Sequence, residues 1–261
     1  MLLPRRLLPR RALLAAPLLL AAGKPPLAAV PIARTDLAWW RDRHAAKLAA
    51  LKRGPVDLIF LGDSITQDLE RSGPPAWADI HPVWQRFYAD RRAINLGFSG
   101  DATSHLLWRI MNGEIANIAP KAAIILIGAN NLGRLQWPAA DTVIGIDTII
   151  AETRRRLPRT KILLRGILPS ERSAWATETT RSINAALAAK YGPGTSPNVM
   201  FHDHTPLFHR NGTLDRTLFY DPLMTPPEAP LHPTAAAHER MALALEPLLA
   251  PMLGDRPRLA G

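Results

Sequence analysis

Five short apolar runs punctuate the chain: Val56 to Leu61, Arg92 to Leu96, Ala122 to Ile127, Lys161 to Arg165 and Val199 to His202. Between them lie stretches with helical spacing, near Trp84 to Tyr88, Thr103 to Met111, Thr142 to Leu157 and Ser173 to Tyr191, and a last one covers Thr234 to Leu249. Strands that alternate with helices cannot pair as hairpins, and runs this apolar suit strands buried on both faces. The pattern predicts a parallel sheet with helices packed on both sides. An earlier helix is expected in "TDLAWWRDRHAAKLAALKRGP", where Leu37, Trp40, His44, Leu48 and Leu51 share a face, Thr35 is a candidate cap and Gly54-Pro55 a stop. No internal repeat or low-complexity linker interrupts the pattern. The 261 residues and 47% hydrophobic content suit one domain with a real core over residues 34–261. The 25 prolines gather in loops, notably Pro222 to Pro233.

The first 33 residues have a different character. Arg5, Arg6, Arg10 and Arg11 precede an apolar stretch, Ala12 to Ala22, and then small residues, which is the pattern of a secretory leader; "PRRALLA" resembles a twin-arginine signal. The apolar stretch is too short, and broken by Pro17, for a spanning helix. Cleavage is expected between Ala28 and Ala33, leaving a periplasmic or secreted domain with no membrane span. Charge has to be judged after that cut. Of the formal +10, five charges leave with the four leader arginines and Lys24, and no basic run with interleaved aromatics remains, so nucleic acid is not an expected partner. The absence of cysteine excludes disulfides, thiol nucleophiles and Cys-zinc sites.

At the end of the first apolar run stands "IFLGDSITQDLE", Ile59 to Glu70. Gly62 permits a sharp turn there, which would put Ser64 at the strand's carboxyl end, the edge where open α/β sheets bind ligands. Asp63 or Ser64 fits equally well as a plain N-cap for the next helix. Among the eight histidines, His105 lies at helical spacing beside Leu106 and Trp108 and reads as structural. "FHDHTPLFH", with His202, Asp203, His204 and His209, has no clear third ligand beside its His-x-His and reads as polar lining; no metal is expected. Trp39, Trp40 and Trp108 read as core or pocket-wall aromatics.

Three further stretches stand at strand ends or open the last helix: "NLGFSGDATSHLLWRI" (Asn95 to Ile110), "LIGANNLG" (Leu126 to Gly133) and "LHPTAAAHERMA" (Leu231 to Ala242). With "GDSIT" they resemble, in order, the four sequence blocks of the SGNH/GDSL hydrolases, and most of all the platelet-activating-factor acetylhydrolase catalytic-subunit group, in which Gly-Asp, His-x-x-Trp-Arg and Gly-x-Asn-Asn recur. The resemblance spans about Asp36 to Leu249. It implies a three-layer α/β/α sandwich with a five-stranded parallel sheet, flavodoxin-like in order. It also implies an ester hydrolase working without cofactor or metal on a small-molecule, glycan or lipid ester with a short acyl group. Ser64 matches the family nucleophile and His232 its base. The Ser64 N–H, the Gly100 N–H and the Asn130 side-chain amide match the three oxyanion donors, the spacing from Gly128 selecting Asn130 over Asn131.

One family position is not matched. The usual acid lies three residues before the histidine, and Ala229 stands there in "EAPLHP". Asp221, ahead of a proline-rich insertion, is the first candidate to orient His232, with Glu228 second; a Ser-His dyad held by a backbone carbonyl and a carboxylate such as Asp203 remain open. Two other functions stay compatible with the sequence: an acyltransferase acting on an exported glycan, and a non-catalytic glycan- or acyl-binding module on the same fold.

Overall fold

The computed structural model describes residues 24–259, so most of the expected leader lies outside the described residues. Five parallel strands, β1 (Leu58–Gly62), β2 (Ala93–Gly97), β3 (Ala122–Leu126), β4 (Lys161–Arg165) and β5 (Val199–His202), form one sheet in the order β2-β1-β3-β4-β5. This is the flavodoxin-like order, and its reversal falls at β1, with β2 on one side and β3 on the other. β1 and β2 each run one residue past their apolar stretch, because the backbones stay paired through Gly62 and Gly97 after the large side chains end. Gly62 itself is not a turn residue. It is the last residue of β1, and a Cβ there would lie 2.5 Å from the Leu126 carbonyl oxygen, so close packing demands the glycine.

Alternation along β1 divides the core. Leu58 and Phe60 face a layer formed by α3 (His81–Phe87) and α8 (Ala235–Leu253), with Val83, Trp84, Phe87, Leu245 and Leu249. Ile59 and Leu61 face the opposite layer, where α4 (Thr103–Arg109), α6 (Ala139–Arg156) and α7 (Ala174–Tyr191) contribute Leu106, Ile146, Ile149, Ile183 and Leu187. α1 (Ala38–Leu51) closes the same side, burying Trp40, His44 and Leu51.

Helix starts follow side-chain chemistry in some places and not in others. Ser173 and Thr234 cap α7 and α8 by accepting from Ala176 N at 3.0 Å and Ala237 N at 3.3 Å. Thr35 does not cap α1; Leu37 holds that position with no side-chain bond. α8 continues through Pro247 and Pro251 to Leu253 and ends at Gly254 in the left-handed region. Burial of Leu249, Ala250 and Leu253 outweighs the two lost backbone bonds. Two short helices follow β1 and β3 directly: α2 (Ser64–Gln67), the helix expected after the Asp63-Ser64 turn, and α5 (Ala129–Gly133), which was not expected. A small hairpin, His209–Arg210 with Thr213–Leu214, turns on Asn211 and Gly212 at φ 51° and 80° and was not expected from the sequence. Among the described residues no helix is long and apolar enough to cross a membrane.

Candidate active site

The end of β1 feeds straight into α2, and this junction places Ser64 at the sheet edge as the first helical residue. Asp63 is the N-cap, its carboxylate accepting from Ile65 N at 3.1 Å. The N–H of Ser64, as a first-turn donor, has no partner within the helix. Cap and sheet-edge serine are thus neighbouring residues of one turn. Burial pushes the Asp63 carboxyl up to about 7, against the pull of the Ile65 N–H.

His232, just ahead of α8, brings Nε2 to 2.9 Å from Ser64 Oγ, and its Nδ1 lies 2.5 Å from Asp221 Oδ1. Asp221 Oδ2 accepts the Leu231 and His232 backbone N–H groups at 2.8 and 2.6 Å. One carboxylate therefore shapes the histidine loop and holds the ring. With Nδ1–H donating to Asp221, the Nε2 lone pair faces the serine hydroxyl. Glu228 is exposed and touches Asp221 only through its own backbone N–H, at 3.0 Å from the Asp221 carbonyl. Asp203 accepts from Thr205 N at 2.8 Å and plays no part in orienting His232.

Burial alone would disfavour the charged imidazole, but the Asp221 hydrogen bond and charge, with Asp68 and Asp63 behind, hold His232 above its ordinary 6.5. Asp221 is correspondingly held below the usual carboxylate range, because the His232 contacts outweigh the burial that would raise it. A general base works only when neutral, so kcat/KM should fall about tenfold per pH unit on an acid limb whose midpoint lies above 6.5. A pH–rate profile on an ester that does not titrate checks this. A midpoint below 6.5 would mean that Asp221 does not charge-pair with the ring.

Two further loops complete the edge. Gly100, after β2, has φ +74°, a conformation glycine adopts without cost. Asn130 lies in α5, after β3, and donates one amide hydrogen to the Asp101 carbonyl at 3.0 Å, leaving the second for a ligand. Because β2 and β3 flank β1, Ser64, Gly100 and Asn130 all stand at the carboxyl edge where the strand order reverses. Asn131 points elsewhere, into Thr103, which it contacts at 3.0 and 2.8 Å.

Several residues that support this edge had no role in the sequence expectation. Asp101, fully buried, accepts from Trp40 Nε1 at 2.9 Å, Arg34 Nη1 at 2.8 Å and Arg109 Nε at 2.8 Å. Arg109 also pairs with Glu114 and donates to the Leu96 and Gly62 carbonyls, at 3.0 Å each, which clamps the ends of β1 and β2. Tyr220 stacks on His232 with centroids 5.3 Å apart and donates its hydroxyl to Asp68 at 2.7 Å. Arg109 closes the "HLLWR" stretch and Tyr220 precedes Asp221, so position next to a motif was the available signal. Trp40 stacks on His44 with the Trp108 ring tilted against both, and His105 accepts from Ala102 N at 2.9 Å, a structural task. In the His-rich stretch, His204 Nε2 lies 3.3 Å from the Met241 carbonyl and His209 Nδ1 lies 2.9 Å from that of Thr205. Among the described residues no group of three His, Asp or Glu clusters as a metal site would require.

A flavodoxin-like sheet with a serine, a histidine and amide donors on its switch-point edge defines a carboxylic ester hydrolase. The GDSL-like lipase/acylhydrolase family model matches residues 60–240, and the chain belongs to that family. It is 28% identical over 235 residues to the alpha2 subunit of platelet-activating factor acetylhydrolase IB from Gallus gallus, covering 88% of this chain and 93% of that protein. A GDSL-like lipase from Bacteroides thetaiotaomicron superposes with a TM-score of 0.60 at 19% identity, over 82% of this chain and 96% of the other. A carbohydrate acetylesterase family member from Sinorhizobium meliloti superposes at 0.54 and 16% identity, over 76% and 99%. At these identities the two structures show the shared fold.

Proposed function

We propose that the protein is an exported serine esterase that removes short acyl groups by way of an acyl-enzyme on Ser64. The continuous Ser64–His232–Asp221 chain of hydrogen bonds carries this reading. Ser64 Oγ attacks the ester carbonyl as its proton passes to His232 Nε2, and the negative charge on the carbonyl oxygen meets the Ser64 and Gly100 N–H groups and the free Asn130 amide hydrogen. His232 then gives its proton to the leaving alcohol. Water, deprotonated by the same nitrogen, attacks the acyl-enzyme; the acyl C–Oγ bond breaks, the carboxylic acid leaves, and the proton on Nε2 returns to Ser64 Oγ.

Preference for a short acyl group is supported by the relatives, an acetylhydrolase by name among the sequences and an acetylesterase by name among the structures. Turnover of 4-nitrophenyl acetate, butyrate and octanoate tests it: rates should fall along the series, and a maximum at octanoate would overturn the acetyl-type assignment. Repeating the acetate assay with glycan acceptors separates hydrolase from acyltransferase, since an acylated glycan product would establish transfer.

Export rests on the leader pattern of the first 33 residues. Packing supports a cut ahead of the expected Ala28 to Ala33 window. The turn Leu27–Ala29 lies against α6, Ala28 is buried, and its carbonyl accepts from Thr103 Oγ1 at 2.8 Å. Ala21-Ala22-Gly23 supplies small residues just upstream. N-terminal sequencing of exported protein should then begin at or before Pro26; a start beyond Ala28 would show the turn to be dispensable.

A further inference from the structure

The rim of the site carries more positive charge than ester hydrolysis needs. A Cβ on Gly100 would lie 2.5 Å from Arg134 Nη1 and 3.3 Å from both Arg34 Nη1 and Nη2, so two guanidinium groups cover the glycine whose N–H serves the oxyanion. Arg172 Nη2 donates to the Ala129 carbonyl at 2.9 Å, one residue before Asn130. On the histidine side, Arg71 lies 5.0 Å over the ring of Tyr220, which itself stacks on His232.

The nearby carboxylates are already engaged. Asp101 serves Trp40, Arg34 and Arg109; Asp221 serves His232; Asp68 takes the Tyr220 hydroxyl; Asp63 takes the Ile65 N–H. Among the described residues no ion pair includes Arg71, Arg134 or Arg172. Surface arginines are ordinarily either solvated or paired. Arg71 and Arg134 are exposed, their guanidinium groups open to a ligand, whereas Arg172 is half-buried, and burial pushes its pKa down against the pull of Asp63 and Asp221. A cation that is partly desolvated and lacks a counter-ion is costly to hold unless something bound supplies the anion.

We propose that the preferred substrate is an anionic ester, bearing a carboxylate or phosphate within one arginine side chain's reach of the scissile carbonyl, and that Arg134 and Arg172 grip that group. The guanidinium fork suits either anion, because both offer two oxygens to parallel N–H donors. This inference rests on the esterase reading above and adds the charge of the substrate to it. Arg71, at the other end of the ledge, adds to the field that draws an anion in.

Three probes test it: neutral 4-nitrophenyl acetate, 4-nitrophenyl hemisuccinate with its carboxylate on the acyl side, and 4-acetoxyphenyl phosphate with its charge on the alcohol side. Each is turned over by the unaltered protein and by Arg134→Gln and Arg134→Lys. Comparing proteins on the same ester cancels intrinsic reactivity. For at least one charged ester, Arg134→Gln should lower kcat/KM about tenfold more than for the acetate, Arg134→Lys should restore most of the difference, and about 0.5 M salt should narrow it. The charged ester that responds shows which side of the bond carries the anion. Arg172→Gln should act in the same direction. Equal losses on all three esters would overturn the proposal, since Arg134 would then act on the oxyanion and not on a substrate anion. Failure of the unaltered protein to cleave any of the three esters would overturn the esterase reading, and this one with it.

Discussion

Ser64→Ala is expected to lower kcat by about a millionfold, equivalent to roughly 8 kcal/mol of lost transition-state stabilisation. In the proposed mechanism the serine supplies the atom that bonds to the acyl carbon, and His232 Nε2, 2.9 Å from its hydroxyl, takes that hydroxyl's proton in the acylation step. The residual rate would come from the oxyanion donors, which the substitution leaves in place: the residue 64 N–H is backbone, and Gly100 and Asn130 belong to other loops. The fold should survive. Capping of α2 rests on the Asp63 carboxylate and not on the Ser64 hydroxyl, so melting should change little. Hydrolysis of 4-nitrophenyl acetate by purified variant, alongside its thermal melt, is the check. A variant that folds and keeps more than a small fraction of the activity would remove Ser64 from the mechanism.

The second large effect is expected at Asp221. Its two oxygens face three donors, the Nδ1–H of His232 and the backbone N–H groups of Leu231 and His232. An amide in the same place has one accepting oxygen, and its NH2 must meet at least one of those donors head-on. Asp221→Asn therefore either turns the imidazole to the wrong tautomer or loosens the loop that carries it. Turnover should fall by about ten-thousandfold. Glu228→Gln, on an exposed side chain that touches none of these groups, should leave kcat within about twofold. The acid limb of the pH profile should also collapse toward the ordinary histidine range in Asp221→Asn, since the charge that raises the His232 pKa is gone. If Glu228→Gln proved the more damaging of the two, the loop would have to rearrange on substrate binding to bring Glu228 to the histidine.

Both effects depend on how far separated segments meet, and the sequence revealed this unevenly. The strands were legible because burial leaves apolar runs too short for helices, set at intervals between stretches of helical spacing. β4 and β5 run over Lys161–Arg165 and Val199–His202, the stretches their side chains indicate. α2 was legible only through its Asp63-Ser64 cap and α5 not at all, since helices of four and five residues offer no periodicity. Thr35 misled as a cap because capping depends on local backbone angles that composition does not specify. α8 passes two prolines because its apolar face, packed on β1 and β3, keeps the helix going where propensity would stop it.

Within the site, Ser64, Gly100, Asn130 and His232 could be named because the short motifs that hold them resemble those of the GDSL hydrolases, and each stands at a strand end or a helix start that local sequence defines. The orienting acid could not. Ala229 fills the expected position, and Asp221 reaches His232 from eleven residues away only because Pro222 to Pro230 loop outward and return its carboxylate under the ring. No spacing rule encodes that return. The arginine-lined rim was equally hidden: Arg34, Arg71, Arg134 and Arg172 come from four separate segments, and only the order β2-β1-β3 and the stacking of Tyr220 on His232 collect them around one carbonyl. The sequence alone determined the sheet and the place of Ser64 on its edge, because those follow from local periodicity and local turns, and its four motifs, by their resemblance to the GDSL hydrolases, pointed to the class of reaction. Tertiary structure decided which carboxylate holds the histidine and what charge the substrate meets, because both are sums over groups that the chain keeps far apart.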